Sequence, residues 1–229
     1  LLTQESGKLT ASARGCRKKG SPVAAGVQLL AWSDLVLYEY QGRWTVKEAA
    51  VEREFLGLRR DVERLALACY FAEAAEALAV EDVPAPELLS LVLNSLYALD
   101  QMPQKPLALV KAAFELRVMA ESGYAPDLTS CGVCGEVIEN PPACFSVRAG
   151  TAADAKCAGR VGGYAQLVDS TLRAMLHALT AEPNKVYAFV LSGPAREQFC
   201  GMAEEYVKYH LGREFESLRF YRSLQMPMK

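Results

Sequence analysis

The sequence predicts an α+β protein: a small β-barrel over residues 1–54, then an all-α domain over residues 55–229 interrupted at about 128–160 by a cysteine-bearing module. Three observations predict it. Short β-branched and aromatic runs separated by glycine turns fill the first 54 residues, as small barrels require. From about Phe55 the apolar period changes to that of helices. Cys131-Gly132-Val133-Cys134, followed by Cys144 and Cys157, then breaks the helical pattern. Two thiols at C-x-x-C spacing on a tight turn point at one cation, and further donors ~10–25 residues later give the spacing of a small zinc ribbon. The bland alternative is a pair of idle loop cysteines.

Residues 8–14 (KLTASAR) alternate polar and apolar behind the turn signal Ser6-Gly7 and predict a strand. Strands are also predicted at 27–30 (VQLL), 34–40 (DLVLYEY) and, across the Gln41-Gly42 turn, 43–48 (RWTVKE). The basic stretch Arg17-Lys18-Lys19 lies in a loop between strands. A long amphipathic helix runs from 58 to 78, with Arg59, Arg60, Glu63, Glu73 and Glu76 on its wet side. Val83-Pro84-Ala85-Pro86 ends it and opens a second helix to about Leu99. Pro103 and Pro106 precede a third, 107–119, closed by Gly123. Helices at 169–180 and 194–211 follow the cysteine module, and an exposed tail, 215–229, ends the chain.

The composition is that of a globular chain, with 51% hydrophobic and 23% charged residues. No apolar run approaches the ~20 residues that span a bilayer, so no membrane partner is expected. Leu1-Leu2-Thr3 is apolar and strand-like from the first residue; no signal peptide can be read there, and the sequence is expected to open inside a domain. Cysteines number seven, an odd count, and Cys16, Cys69 and Cys200 are scattered among core-like patterns, which predicts reduced thiols and a cytoplasmic setting rather than a disulfide framework. Lys8, Arg14, Arg17, Lys18 and Lys19 face one acid, Glu5, near the start, so this end is basic on an otherwise acidic chain of net charge −2. That asymmetry suits a polyanion, although a basic loop is more often merely solvated. Tyr38, Tyr40 and Trp44 can offer stacking faces, while Trp32 and Trp44 are read first as core.

No catalytic constellation stands out, and the chain is read as a non-enzyme. There is no G-x-x-x-x-G-K-[ST] loop and no H-E-x-x-H. His177 lies at helical spacing among leucines, His210 suits the last turn of a helix, and Ser192-Gly193-Pro194 reads as a helix start.

The order of several short motifs resembles the RecO family of bacterial recombination mediators. They are residues 1–15 (LLTQESGKLTASARG), 55–59 (FLGLR) and 114–117 (FELR). Residues 123–128 (GYAPDL) then lead into Cys131 and Cys134; Phe145-Ser146 and Ala149-Gly150 follow, with 209–213 (YHLGR) and 217–220 (SLRF) at the end. The resemblance covers nearly the whole chain and implies an N-terminal OB-fold, here lacking its first strand, and a helical domain with a zinc ribbon. In the family register Cys157 is the last zinc ligand and Asp154 stands where a third cysteine is usual, with Cys144 as the alternative fourth ligand. The resemblance further implies single-stranded DNA binding through Lys8, Arg14, Arg17, Lys18 and Lys19, with double-stranded DNA as a further ligand. It also implies strand annealing, loading of RecA together with RecR, and a nucleoid-associated location. The acidic tail of single-strand-binding protein would need an apolar pocket rimmed by cations, for which Lys111, Arg117, Arg173 and Arg213 are candidates. A zinc-containing protein–protein scaffold with no direct DNA binding is the rival reading, and a zinc-ribbon transcription factor a third, for which no recognition helix is seen.

Overall fold

The computed structural model describes residues 1–138 and 143–226 and is α+β. Glu139, which with Glu136 makes the sequence around the cysteine module acidic, lies outside the described residues. Packing divides the chain at Met102/Pro103 into two compact units, the first of which also takes the C-terminal helix. The boundary expected from the sequence, 54/55, marks where β gives way to helix within the first unit.

In the first unit β1 (Leu2–Thr3) and β2 (Gly7–Lys8) form an antiparallel hairpin. A separate sheet has the order β3 (Ala11–Ser12), β5 (Arg43–Arg53), β4 (Trp32–Tyr40), with β4 and β5 antiparallel and β3 parallel to β5. The β4–β5 turn is as the sequence suggests: Gln41 and Gly42 both have positive φ, 49° and 72°, the geometry of a tight two-residue hairpin, and Tyr40 pairs with Arg43. Among the described residues these strands do not close into a barrel. The strand expected at 27–30 is absent because consecutive turns occupy residues 21–31, for example Val27 N–H to Val23 O at 3.2 Å and Ala31 N–H to Gln28 O at 3.1 Å. Those local bonds fix Val23 and Gly26 in the interior, where a Cβ on Gly26 would meet Ala49.

The first helix is not one continuous amphipathic rod. A 3-10 turn, Leu56–Arg60, precedes Asp61, whose carboxylate accepts from the N–H groups of Glu63 (3.0 Å) and Arg64 (3.2 Å) and starts α1 (Val62–Leu78). Ala66, Leu67, Ala68, Tyr70, Phe71, Ala74 and Ala75 are all buried, because α1 packs against both α2 (Pro86–Gln101) and α7 (Glu216–Leu224). The expected exposed tail is thus largely a helix. Phe215, Leu218 and Tyr221 are buried, and Glu73 of α1 accepts from the N–H groups of Glu216 (3.1 Å) and Ser217 (2.9 Å) at the start of α7.

The second unit is built on α3 (Leu107–Glu121), buried along most of its length and packed against α5 (Asp169–Thr180) and α6 (Gly193–Leu211). Gly212, at φ 58°, closes α6. A four-stranded sheet lies between α3 and α5 in sequence, in the order β6 (Asp127–Cys131), β8 (Thr151–Asp154), β7 (Ala143–Ser146), β9 (Ala165–Gln166). A short helix, α4 (Ala155–Val161), follows β8 directly.

Candidate metal centre and nucleic-acid face

The metal candidates are assembled by two local devices. In the first, Asp127 folds over the start of β6 and accepts from the N–H of Thr129 at 2.9 Å and of Ser130 at 3.1 Å. The Ser130 hydroxyl, foremost, and these N–H groups draw the Asp127 carboxyl down to about 2. Beyond it the chain turns back on itself, with Gly135 N–H to Cys131 O and Cys131 N–H to Glu136 O, both 2.8 Å. Gly135 has φ 82°, which favours glycine, and Gly132 lies so close to Thr151 that a Cβ would collide with its side chain. The result is a tight knuckle that carries Cys131 and Cys134.

The second device is the junction of β8 and α4. Asp154 Oδ1 accepts from the N–H groups of Lys156 and Cys157, each 2.9 Å, and so caps α4 and places Cys157 in its first turn. The candidate ligand atoms of Cys131, Cys134, Asp154 and Cys157 all lie within 4.8 Å of one another. Neighbouring donors in a tetrahedral zinc–sulfur site are about 3.7 Å apart, so a modest contraction closes this set around one ion. Cys134 Sγ and Asp154 Oδ2 already stand 3.9 Å apart. Cys131 and Cys157 are buried, Asp154 is half-buried, and Cys134 is exposed.

Hydrogen bonding from Cys157, backbone first and then thiol, holds the Asp154 carboxyl down at about 2. The same carboxylate, together with burial, pushes the Cys157 thiol up to about 12. Burial also opposes ionisation of Cys131, but backbone N–H groups of Cys134, Val133 and Asp154 outweigh it and lower that thiol. Cys144 is not in the group. It sits on β7 opposite Ala153, packs in the apolar cluster with Ala153 and Ala158, and is raised by burial and then by the Asp154 charge.

The basic residues are placed in two groups. Lys8 is part-buried on β2, while Arg14, Arg17, Lys18 and Lys19 are exposed along successive turns, with Lys18 N–H to Gly15 O at 2.9 Å. Among the described residues no ion pair occupies any of the five. Strand alternation turns Trp32, Val36, Tyr38 and Tyr40 outward on β4, at 41%, 53%, 52% and 62% exposure, so Trp32 is not the core residue expected. Trp44 is half-buried. Lys47 stands 5.1 Å from the centre of the Tyr38 ring, and Arg43 pairs with Tyr40 across the hairpin. Sequence reasoning missed Lys47 and Arg43, although the two-residue turn already set Arg43 opposite Tyr40.

The four proposed rim cations do not share one environment. Lys111 is buried on α3 and bound to Glu115 and Glu204. Arg117 is bound to Glu121 at 2.6 Å and to the carbonyls of Leu179 and Ala181. Both are engaged inside the unit. Arg173 is exposed and pairs with Asp169, and Arg213 is exposed over the ring of Phe215 at 4.9 Å.

The family model described as "Recombination protein O C terminal" matches residues 59–219, well over half of the chain. The chain belongs to the RecO family. The DNA repair protein RecO of Acetivibrio thermocellus is 29% identical over 98% of this chain and 88% of its own length. That of Anaeromyxobacter sp. (strain K) is 32% identical over 96% of this chain and 87% of its own. That of Heliobacterium modesticaldum is 34% identical over 80% and 67%. The RecO match includes both devices of the candidate metal centre and all helices from α1 to α6. No helix among the described residues is long and apolar enough to cross a membrane.

Proposed function

We propose that this chain is a non-enzymatic DNA repair and recombination mediator. It binds single-stranded DNA, anneals complementary strands, and with RecR helps load RecA onto DNA coated by single-strand-binding protein at the nucleoid. Residues 1–54 act as the OB-fold and the helical part meets the protein partners. The observation that carries the DNA reading is the outward face of β4 and β5, where Tyr38 and Tyr40 lie open beside Lys47 and Arg43. Single-strand binders combine such stacking faces with cations that follow the phosphates. The exposed cations Arg14, Arg17, Lys18 and Lys19 extend the positive surface of the same unit, with Lys8 on the neighbouring hairpin. Annealing needs no bond chemistry: neutralising phosphate repulsion lets two strands meet, and base pairing supplies the free energy.

The cysteine centre holds a structural Zn²⁺ through Cys131, Cys134, Asp154 and Cys157. Three thiolates and a carboxylate are a legitimate zinc set with no position left for substrate. The ion would fasten the knuckle to the β8–α4 junction. Of the candidate rim for an acidic tail peptide, Arg173 and Arg213 remain on the surface, while Lys111 and Arg117 support the helices beneath.

The test is a titration of single-stranded oligonucleotides over a range of salt. Neutralising Arg17, Lys18 and Lys19 together should weaken every sequence alike and shallow the log–log salt slope by about two to three units. Replacing Tyr38 and Tyr40 by alanine should cost about 1–3 kcal/mol per lost stacking contact with little change of slope. Unchanged affinity in both variants would leave the scaffold reading in its place, and loss confined to one sequence would mean base readout.

A further inference from the structure

The four-residue centre is not symmetrical in its chemistry. Three of its members offer only a thiol. Asp154 offers two oxygens, and the structure gives them different neighbours: Oδ1 accepts both the Lys156 and Cys157 N–H groups at 2.9 Å, while Oδ2 faces Cys134 Sγ at 3.9 Å. An N-cap needs one side-chain oxygen. A tetrahedral zinc site takes one oxygen from a carboxylate at about 2.0–2.2 Å. One side chain can therefore meet both demands, Oδ1 keeping the cap while Oδ2 shares in the modest contraction that closes the donors around one ion.

We infer that Asp154 is at once the oxygen ligand of the metal and the cap of α4, so that one carboxylate joins metal binding to the start of the helix carrying the next ligand, Cys157. This rests on the metal reading above and goes beyond it in assigning the two oxygens separate tasks. A cysteine in the same place would offer a better zinc donor but a poor cap, since a thiol is a weak acceptor. A serine would offer a good cap but no charged donor. Asp154 and Cys134 also form the more open half of the centre, whereas Cys131 and Cys157 are buried, so the carboxylate lies on the side by which a chelator approaches.

The two tasks can be separated by substitution. Cobalt(II) is the probe for the metal, because its visible and near-ultraviolet absorption reports how many thiolates are bound. Protection of the Lys156 and Cys157 amides from hydrogen exchange is the probe for the cap. The parent should show a three-thiolate cobalt spectrum and protected amides. Asp154→Ser should keep the amide protection while metal affinity falls more than about tenfold, the least expected for loss of a direct ligand when outer partners alone change affinity 10–100-fold. Asp154→Cys should move the spectrum to that of four thiolates, slow the release of zinc to a chelator, and expose the two amides. Cys144→Ala should leave every readout as in the parent.

A four-thiolate spectrum in the parent, or loss of one thiolate contribution in Cys144→Ala, overturns the assignment and makes Cys144 the fourth ligand. An unaltered spectrum and affinity in Asp154→Ser overturn it as well. Failure of the parent to bind cobalt or zinc under reducing conditions removes the metal reading itself, and this inference with it.

Discussion

Replacing Lys111 with methionine should be among the most damaging single changes in the second unit. The Lys111 side chain is 7% exposed, and its Nζ lies 2.8 Å from Glu115 Oε1 and 2.6 Å from Glu204 Oε2. Glu115 has no exposure at all, while Glu204 is 38% exposed and solvated. Methionine fills the volume but removes one partner of a buried ion pair, taking the ammonium away from the Glu115 carboxylate, a loss worth about 3–5 kcal/mol. In a chain of this size that lowers the melting temperature by roughly 10 °C. Combining Lys111→Met with Glu115→Leu removes both charges and should recover most of the loss, because well-packed apolar replacements of a buried pair are often neutral.

The pH profiles carry the sign. Burial lowers the Lys111 pKa, but Glu115 and then Glu204 outweigh it, so the folded value is raised. The parent's contribution from this group is thus complete below the ordinary lysine pKa, about 10.4, and is lost as pH rises through the folded value. In Lys111→Met the penalty belongs to the ionised Glu115 and should shrink as acid protonates it. Calorimetry with denaturant unfolding at pH 5, 7 and 9 checks this. A single variant within about 0.5 kcal/mol of the parent, the range of ordinary surface changes, would refute the reasoning. So would a double variant less stable than the single.

Two further predictions concern local bonds. Glu73→Ala should free the Glu216 and Ser217 amides at the start of α7 and cost about 1 kcal/mol, read as faster hydrogen exchange at those amides and earlier proteolysis of the C-terminal helix. Asp127→Asn should destabilise the β6 turn at neutral pH, but by less as the medium becomes acid. The Asp127 carboxyl falls to about 2 in the fold, so its contribution is complete above the unfolded value and is lost as pH falls through the folded one. Parent and variant unfolding curves measured from pH 6 to pH 2 should therefore converge at the acid end, and a constant gap would contradict the assignment.

What the sequence shows and what it conceals divide along physical lines. Features set by neighbours in sequence were legible. Gln41-Gly42 needs positive φ twice and makes a hairpin; Pro86 and Gly212 mark helix ends; and the two x-x spacings, Cys131/Cys134 and Asp154/Cys157, each bring a pair of donors to one side of a turn. The expected helix at 169–180 coincides with α5, whose buried Leu172 and Met175 recur at helical spacing. Features decided by distant packing were not. Leu218 and Tyr221 recur at helical spacing, but it is packing against the distant α1 that makes that face an interior one. The seven residues of α4 are too few for a period to stand out, so the sequence shows Asp154 as a ligand candidate and conceals its cap. Lys111 and Arg117 look in sequence like Arg173, charged residues on a helix face. Their carboxylate and carbonyl partners lie between 4 and 93 positions away, and the longer of those distances are invisible to any local window. A cation's availability for a partner therefore depends on the carboxylates and carbonyls around it in the fold. For the same reason the exposed cations of residues 14–19 and the open tyrosines of β4 are the better starting points for testing the proposed DNA binding, and the buried Lys111 the better one for measuring what holds the helices together.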